Sequence, residues 1–205
     1  MGHDIITEIA TFFDKCSRDG MMASFTGEDL EKVETFLRAW DIRPGDRILE
    51  PGCGSGRLTE YLSREVGKRG EVFACDLSSE MIGQAQARNL PATVEFNVCT
   101  VMNIPRSDAY FEKVLCFNVF PHFHDPDAAL AEIHRICAAG GELWINHLWS
   151  RDYINNIHRN ASSDVIVSHR IPPDREMMRL IENASFTVID LSDSERGYTL
   201  HARKD

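Results

Sequence analysis

The fold of this chain is decided at residues 48–56, which read Ile-Leu-Glu-Pro-Gly-Cys-Gly-Ser-Gly. Two apolar residues lead into Glu50, glycine then takes every second position, and a helix-forming segment follows. Glycines let the main chain turn sharply and let a ligand lie close to its bare N–H groups. These groups stand at a helix N-terminus, which favours the negative end of a ligand. The stretch therefore predicts the strand, turn and helix that open a nucleotide-binding α/β fold.

The spacing of these glycines is G-x-G-x-G, and it departs from the dinucleotide fingerprint G-x-G-x-x-G. Two alternatives stay open at this point: a plain strand-to-helix turn that binds nothing, and the cofactor site of a nicotinamide-dependent oxidoreductase. The acidic residue before the glycines and the lack of a Tyr-x-x-x-Lys pattern weigh against the oxidoreductase.

A second buried strand is predicted at residues 71–76, and it ends in Asp76. Asp76 lies twenty residues past Gly56, the spacing at which a carboxylate on the second strand reaches the hydroxyls of a ribose. The alternative is an N-cap for the next helix, which Ser78 or Ser79 could supply instead. We expect Asp76 to bind the ribose.

The same alternation of strand and helix continues along the chain. Further strands are predicted at 94–98, 113–118, 142–146, 187–191 and 198–202, and helices at 4–17, 30–40, 58–66, 81–89, 127–137 and 174–181. This order predicts a three-layer α/β sandwich whose open, mostly parallel seven-stranded sheet ends in an antiparallel C-terminal hairpin. We expect an N-terminal cap helix within 1–25, acting as a packing helix or as a lid, and one domain at 26–205 with an irregular substrate-side insert at 147–171.

The composition of the chain limits the kinds of partner and the cellular location that we expect. The net charge is −10 and no Lys/Arg run occurs, which disfavours nucleic acid. No apolar run reaches the roughly 18–20 residues of a membrane helix, and no signal peptide is evident, so we expect no membrane partner. Six cysteines without a C-x-x-C pattern favour a reducing, cytoplasmic location over disulfides or a zinc site.

Several motifs together resemble the class I S-adenosylmethionine-dependent methyltransferases, in particular the branch of ubiquinone and menaquinone biosynthesis. The matching segments, in family order, are 48–56, 76–81, 111–114 with 118–123, and 129–135 with 140–143. The resemblance extends over about residues 30–147. It implies a Rossmann-like methyltransferase fold, S-adenosylmethionine as cofactor, S-adenosylhomocysteine as product and methyl transfer to an acceptor.

The resemblance also implies roles for individual residues. Glu50 and the glycine loop would hold the methionine end of the cofactor, Asp76 the ribose hydroxyls, and Leu77 with Met81 the adenine. Thr100 stands where the family often has an aspartate that contacts the adenine amino group. The cofactor-binding residues implied are Glu50, Gly52, Cys53, Gly54, Ser55, Gly56, Asp76, Leu77, Met81, Thr100, Val101, Phe117 and Asn118.

Methyl transfer from a sulfonium needs alignment and sometimes removal of a proton, so a strong catalytic motif is not required. Histidines after strands four and five are candidate general bases, and we select His147 and His122 as catalytic residues. A metal site formed by His147, His158 and His169 is an alternative.

The segment after strand four lacks the Asn/Asp-Pro-Pro-aromatic motif of nucleic-acid amino-methylating enzymes and the paired-glutamate loop of protein arginine methyltransferases. A small-molecule substrate is therefore expected, acted on by a monomer or homodimer. A non-catalytic module that binds S-adenosylmethionine is the remaining alternative.

Overall fold

The computed structural model describes residues 5–20, 24–25, 27–161 and 163–205. Eight α-helices occur in these residues: α1 Ile5–Arg18, α2 Glu28–Trp40, α3 Arg57–Val66, α4 Ser79–Gln86, α5 Pro126–Ile136, α6 Arg151–Arg159, α7 Asp164–Val167 and α8 Asp174–Asn183. The seven strands described are β1 Arg47–Pro51, β2 Glu71–Asp76, β3 Val94–Val98, β4 Phe111–Phe117, β5 Cys137–His147, β6 Phe186–Ser194 and β7 Gly197–Lys204.

The strands form one sheet in the order β3-β2-β1-β4-β5-β7-β6. Strands β1 to β5 pair in parallel, whereas β7 runs antiparallel to both β5 and β6. The predicted fold class, a mostly parallel seven-stranded sheet with a C-terminal antiparallel hairpin, is confirmed. Because β1 lies between β2 and β4, the strand order reverses there and opens a crevice at the carboxyl ends of these strands.

The sheet is buried on both faces, which explains the continuous apolar runs of its central strands. Leu49 of β1 packs on one face with Leu130 and Ile133 of α5. Its neighbour Ile48 packs on the other face with Leu62 of α3. Alternate residues of a strand thus point to opposite faces of the sheet and join separate apolar clusters. Each cluster holds a layer of helices against the sheet, which gives the three layers.

Two predicted boundaries need correction. Helix α5 ends at Ile136, and Cys137 already has the extended geometry of β5, where we expected the helix to continue to 137 and to stop at the glycines. The register between β4 and β5 shifts from Phe111 to Lys113, and Gly140 takes a φ of +71° within this irregular start. The glycines at 140 and 141 therefore belong to the irregular start of β5 and do not end α5.

The predicted irregular insert at 147–171 contains α6 and α7. Ser150 caps α6 by accepting a hydrogen bond from the Tyr153 N–H, at 3.4 Å. The high content of His and Asn concealed this helix, because these residues are weak helix formers. Predicted features at residues 1–4, 21–23 and 26 lie outside the described residues.

A buried polar chain ties α2 to the C-terminal half of the sheet. The Trp40 indole N–H donates to Asn146 Oδ1 at 3.0 Å, and the Asn146 amide donates to Thr199 Oγ1 at 3.0 Å. Trp40 and Asn146 are each 1% exposed, so water cannot replace a lost partner.

We predict that Trp40→Phe lowers the free energy of unfolding by about 1–3 kcal/mol, because it leaves a buried amide oxygen without its indole donor. Urea denaturation followed by circular dichroism measures the change. Trp149→Phe, at a half-buried position beside Tyr153, is the matched control. A loss for Trp40→Phe no larger than that of the control would contradict this account.

Candidate active site

A cavity of about 960 Å³, partly open to solvent, lies at the carboxyl ends of β1, β2 and β4. Its walls come from the glycine loop, the ends of these strands, the loop after β3, the turn after β4, and α1. The cavity therefore occupies the crevice that the reversal of strand order creates.

Neighbouring residues hold the glycine loop in place, and the loop exposes main chain to the cavity at Gly54. The Cys53 N–H donates to the Cys75 carbonyl at 3.0 Å, which ties the loop to β2. Gly54 has a φ of +54°, and a Cβ placed on it would meet only the Met81 sulfur at 3.9 Å. A Cβ on Gly52 would lie 2.2 Å from Val119 Cγ2, so this glycine lets the turn after β4 approach. The main chain is thus open to a ligand at Gly54.

Asp76 lines the cavity beside this loop. Its Oδ2 accepts from the Gly54 N–H and its Oδ1 from the Ser78 N–H, both at 2.9 Å. Burial raises the pKa of Asp76, and the backbone donors oppose this rise. The Ser78 hydroxyl accepts from the Met81 N–H at 3.0 Å and caps α4. Asp76 is therefore not the cap of α4.

Glu50 and Arg57 place one acidic and one basic group at the end of β1. Glu50 is 2% exposed and accepts a hydrogen bond from the Thr59 hydroxyl at 2.6 Å. Burial raises the pKa of Glu50 to about 8 and lowers the pKa of Arg57 to about 10. Both side chains line the cavity. Such a pair fits the amino and carboxylate groups of an amino-acid ligand, as found at the methionine end of S-adenosylmethionine.

Another part of the cavity lining is more apolar. Leu77, Met81 and Val101 line it together with Thr100, whose hydroxyl accepts from the Met102 N–H at 3.3 Å. Such a surface suits the faces of a purine ring.

The start of the turn after β4 forms another wall. Phe117 and Asn118 line the cavity there. Asn118 takes a φ of +54°, and its side-chain oxygen accepts from the Leu148 N–H at 3.0 Å. The bond to Leu148 holds this part of the wall against the segment that follows β5.

Two predicted site residues are not among those that line the cavity. Gly56 packs against α4, where an added Cβ would lie 3.0 Å from the Ala85 Cβ. His147 is 2% exposed at the end of β5, its Nε2 is buried without a hydrogen-bond partner, and burial lowers its pKa to about 3. A direct role for His147 stays a prediction, whereas His122 does line the cavity.

The metal alternative finds no support. Within 5–20, 24–25, 27–161 and 163–205, no group of three His, Cys, Asp or Glu residues is arranged to hold a metal ion.

Residues that we did not single out also reach the cavity. They include Ile9 and Phe13 of α1, Arg57, Cys99, Met102 and Phe123. The apolar spacing of α1 predicted a helix, but it could not show which layer the helix would cover. Arg57 had a detectable signal, because it directly follows the glycine loop and begins α3.

A family model described as a methyltransferase domain matches residues 48–141. A 37.1 kDa transposon protein of Streptomyces fradiae is 33% identical over 75% of this chain and 47% of its own length. The ubiquinone/menaquinone biosynthesis C-methyltransferase of Cupriavidus metallidurans is 30% identical over 57% of this chain and 48% of its own length. The chain thus spans about half the length of these curated relatives.

A solved S-adenosylmethionine-dependent methyltransferase of Aquifex aeolicus covers 100% of both chains, with a TM-score of 0.73 and 20% identity. This match supports the fold. The cavity and the sheet order define an α/β protein of the Rossmann-like class. The match of residues 48–141 to the methyltransferase-domain model confirms the resemblance that the sequence motifs predicted.

The family match gives no support to the nicotinamide-dependent alternative. Across the described residues, each helix is too short or too polar to cross a membrane.

We predict that Glu50→Gln flattens the pH dependence of stability. Folding raises the pKa of Glu50 from about 4.3 to about 8. Its contribution to stability is complete below pH 4 and is lost as pH rises through 8. Relative to Glu50→Gln, the wild type should therefore lose about 1.4 kcal/mol per pH unit across this window.

Urea denaturation at pH 5.5 and 7.5 measures this difference. Glu182→Gln, at an exposed position of α8, is the matched control. Parallel pH profiles for the wild type and Glu50→Gln would contradict the assignment.

Proposed function

We propose that this protein transfers a methyl group from S-adenosylmethionine to a small-molecule acceptor. The observation that carries the proposal is the glycine loop at Gly54, which leaves open space on the cavity side and whose N–H donates to the Asp76 carboxylate. A carboxylate at the end of β2 next to a glycine turn is a binding arrangement for ribose hydroxyls.

The remaining walls supply the other contacts of the cofactor. Glu50 takes its ammonium group and Arg57 its carboxylate, which places the methionine end at the start of α3. Leu77 and Met81 cover the adenine, and the Thr100 hydroxyl replaces the charge of the usual aspartate. Adenine recognition then depends more on apolar contact than on an ionic hydrogen bond.

The acceptor side of the cavity supports a small molecule. Helix α1 contributes Ile9 and Phe13 to the cavity and is tied to α4 by Asp14, which accepts a hydrogen bond from the Ser78 hydroxyl at 2.5 Å. We propose that α1 acts as a lid that excludes water from the transferring methyl group. Relatives named as C-methyltransferases of ubiquinone and menaquinone biosynthesis support a small organic acceptor.

We also propose a reducing, cytoplasmic location, because all six cysteines are free thiols. A monomer or homodimer stays a prediction.

We predict that Asp76→Ala and Gly54→Val each weaken S-adenosylmethionine binding at least tenfold. The first removes a charged hydrogen-bonding partner, worth about 1.5–3 kcal/mol. The second places a branched side chain in the open cavity. Isothermal titration calorimetry measures both dissociation constants.

Matched controls make the same substitutions elsewhere. Asp127→Ala removes an exposed aspartate of α5, and Gly83→Val fills open space on α4. We expect both controls to bind like the wild type. Unchanged affinity in both cavity variants would refute the proposed cofactor site.

A further inference from the structure

Four histidines from separate parts of the chain gather beside the cavity. His122 belongs to the short turn after β4, His147 ends β5, His158 lies on α6, and His169 follows α7. The centroid of the His122 ring lies 5.0 Å from that of His158 and 5.1 Å from that of His169. His122 alone of the four lines the cavity, where the edge of Phe13 packs against its ring at 5.0 Å.

Hydrogen bonds limit which ring nitrogens of these histidines can carry a proton. The Nδ1 atoms of His122 and His169 are 2.8 Å apart, so one of them donates to the other. His158 Nδ1 lies 2.9 Å from the His169 carbonyl, which can only accept, so His158 carries its proton on Nδ1. If His122 donates through Nδ1, its Nε2 is left as a bare acceptor for a group in the cavity.

The surroundings of His122 keep it neutral. Burial lowers the pKa of His122, and the neighbouring rings of His158, His169 and His147 lower it further. Burial also lowers the pKa of His169 to about 4. From α1 the ring meets Phe13, while the adjacent Asp14 is bound to Ser78. The ring contacts of His122 are with Phe13, His158 and His169.

We propose that His122 Nε2 removes a proton from the acceptor during methyl transfer and that His169 is a positioning residue that fixes this tautomer. The site then takes an uncharged, mainly apolar acceptor whose methylated atom carries a proton, such as a phenolic hydroxyl or a thiol. This inference rests on the proposed function.

A bond forms between the acceptor atom and the methyl carbon, and the carbon–sulfur bond breaks with its electron pair going to sulfur. The acceptor's proton goes to His122 Nε2, which releases it to solvent after the reaction. One positive charge disappears at sulfur and one appears on the imidazole, so the total charge of the cavity does not change. Loss of the sulfonium charge also removes a repulsion that disfavours the imidazolium.

The first test needs no turnover. Two-bond ¹H–¹⁵N NMR of ¹⁵N-histidine-labelled protein at pH 7 separates protonated from bare ring nitrogens, with His122→Asn used to assign the signals. We expect His122 to carry its proton on Nδ1 with Nε2 bare. We expect His169→Gln, whose side-chain oxygen can accept the same hydrogen bond, to keep this tautomer, and His169→Leu to lose it. A protonated Nε2 on His122 in the wild type would overturn the proposal.

The second test uses thiophenol and hydroquinone as acceptors that carry a proton, and pyridine as one that does not. Formation of S-adenosylhomocysteine is the readout. His122→Asn should lower kcat with the first two about 100-fold or more. His169→Leu should lower kcat with KM little changed, and His169→Gln should restore it. His134→Asn, on the far end of α5, is the control histidine variant.

S-adenosylhomocysteine affinity, measured by calorimetry, separates the two proposals. Unchanged affinity in the His122 and His169 variants with lost turnover supports the inference. Failure of the wild type to bind S-adenosylhomocysteine would refute the proposed function itself. If the wild type binds it but methylates neither proton-bearing probe, or if His122→Asn keeps its rate, the inference on His122 is wrong.

Discussion

The structure depends on the reversal of strand order at β1. Because β1 has β2 on one side and β4 on the other, the helices that follow β1 and β4 pack on opposite faces of the sheet. The carboxyl ends of these strands are then left open between the two helical layers, and the glycine loop fills only part of the gap. The Gly54 N–H bond to Asp76, at 2.9 Å, joins the loop after β1 to the end of β2. The loop after β3, the turn after β4 and α1 supply the other walls of the cavity.

The crevice places two carboxyl groups where burial disfavours their charge. Burial raises the pKa of both Glu50 and Asp76. The Thr59 hydroxyl and the charges of Arg57 and Arg88 oppose this rise at Glu50, and backbone N–H donors oppose it at Asp76. A protein selected for stability alone would avoid such groups, since a buried acid costs free energy unless it is fully paired. Their position beside an open cavity is typical of groups kept for a ligand, which completes their partners when it binds.

Much of the fold could be predicted because its signals are local. Strands β2 and β3 have the predicted bounds, since a strand in a parallel sheet reads as a short apolar run between turn residues. The start of β5 was missed because Gly140 resembles a helix stop, and only the pairing with β4 reveals an irregular strand. Helix α6 was missed because its residues are polar and its cap is a single serine.

The candidate site was predictable to the same degree. Glu50, Gly54 and Asp76 belong to motifs with fixed spacing, so their meeting at the crevice followed from the sequence. The approach of His169 to His122 spans 47 residues and depends on how α6 and α7 fold back, which no local pattern encodes. Phe13 reaches the cavity through the docking of α1, another long-range event.

In the proposed reaction, the charge of the methyl donor gives a reason for a neutral imidazole beside the acceptor. A carboxylate beside the sulfonium would stabilise the reactant state, in which sulfur is fully positive, more than the transition state, in which that charge is already dispersing. Such an interaction tightens binding and slows the chemical step. A neutral ring such as His122 avoids this loss, because it gains charge only as the sulfonium disappears. The ring contacts of His122, with Phe13, His158 and His169, bring no carboxylate to it, which suits the proposed methyl transfer to a proton-bearing acceptor.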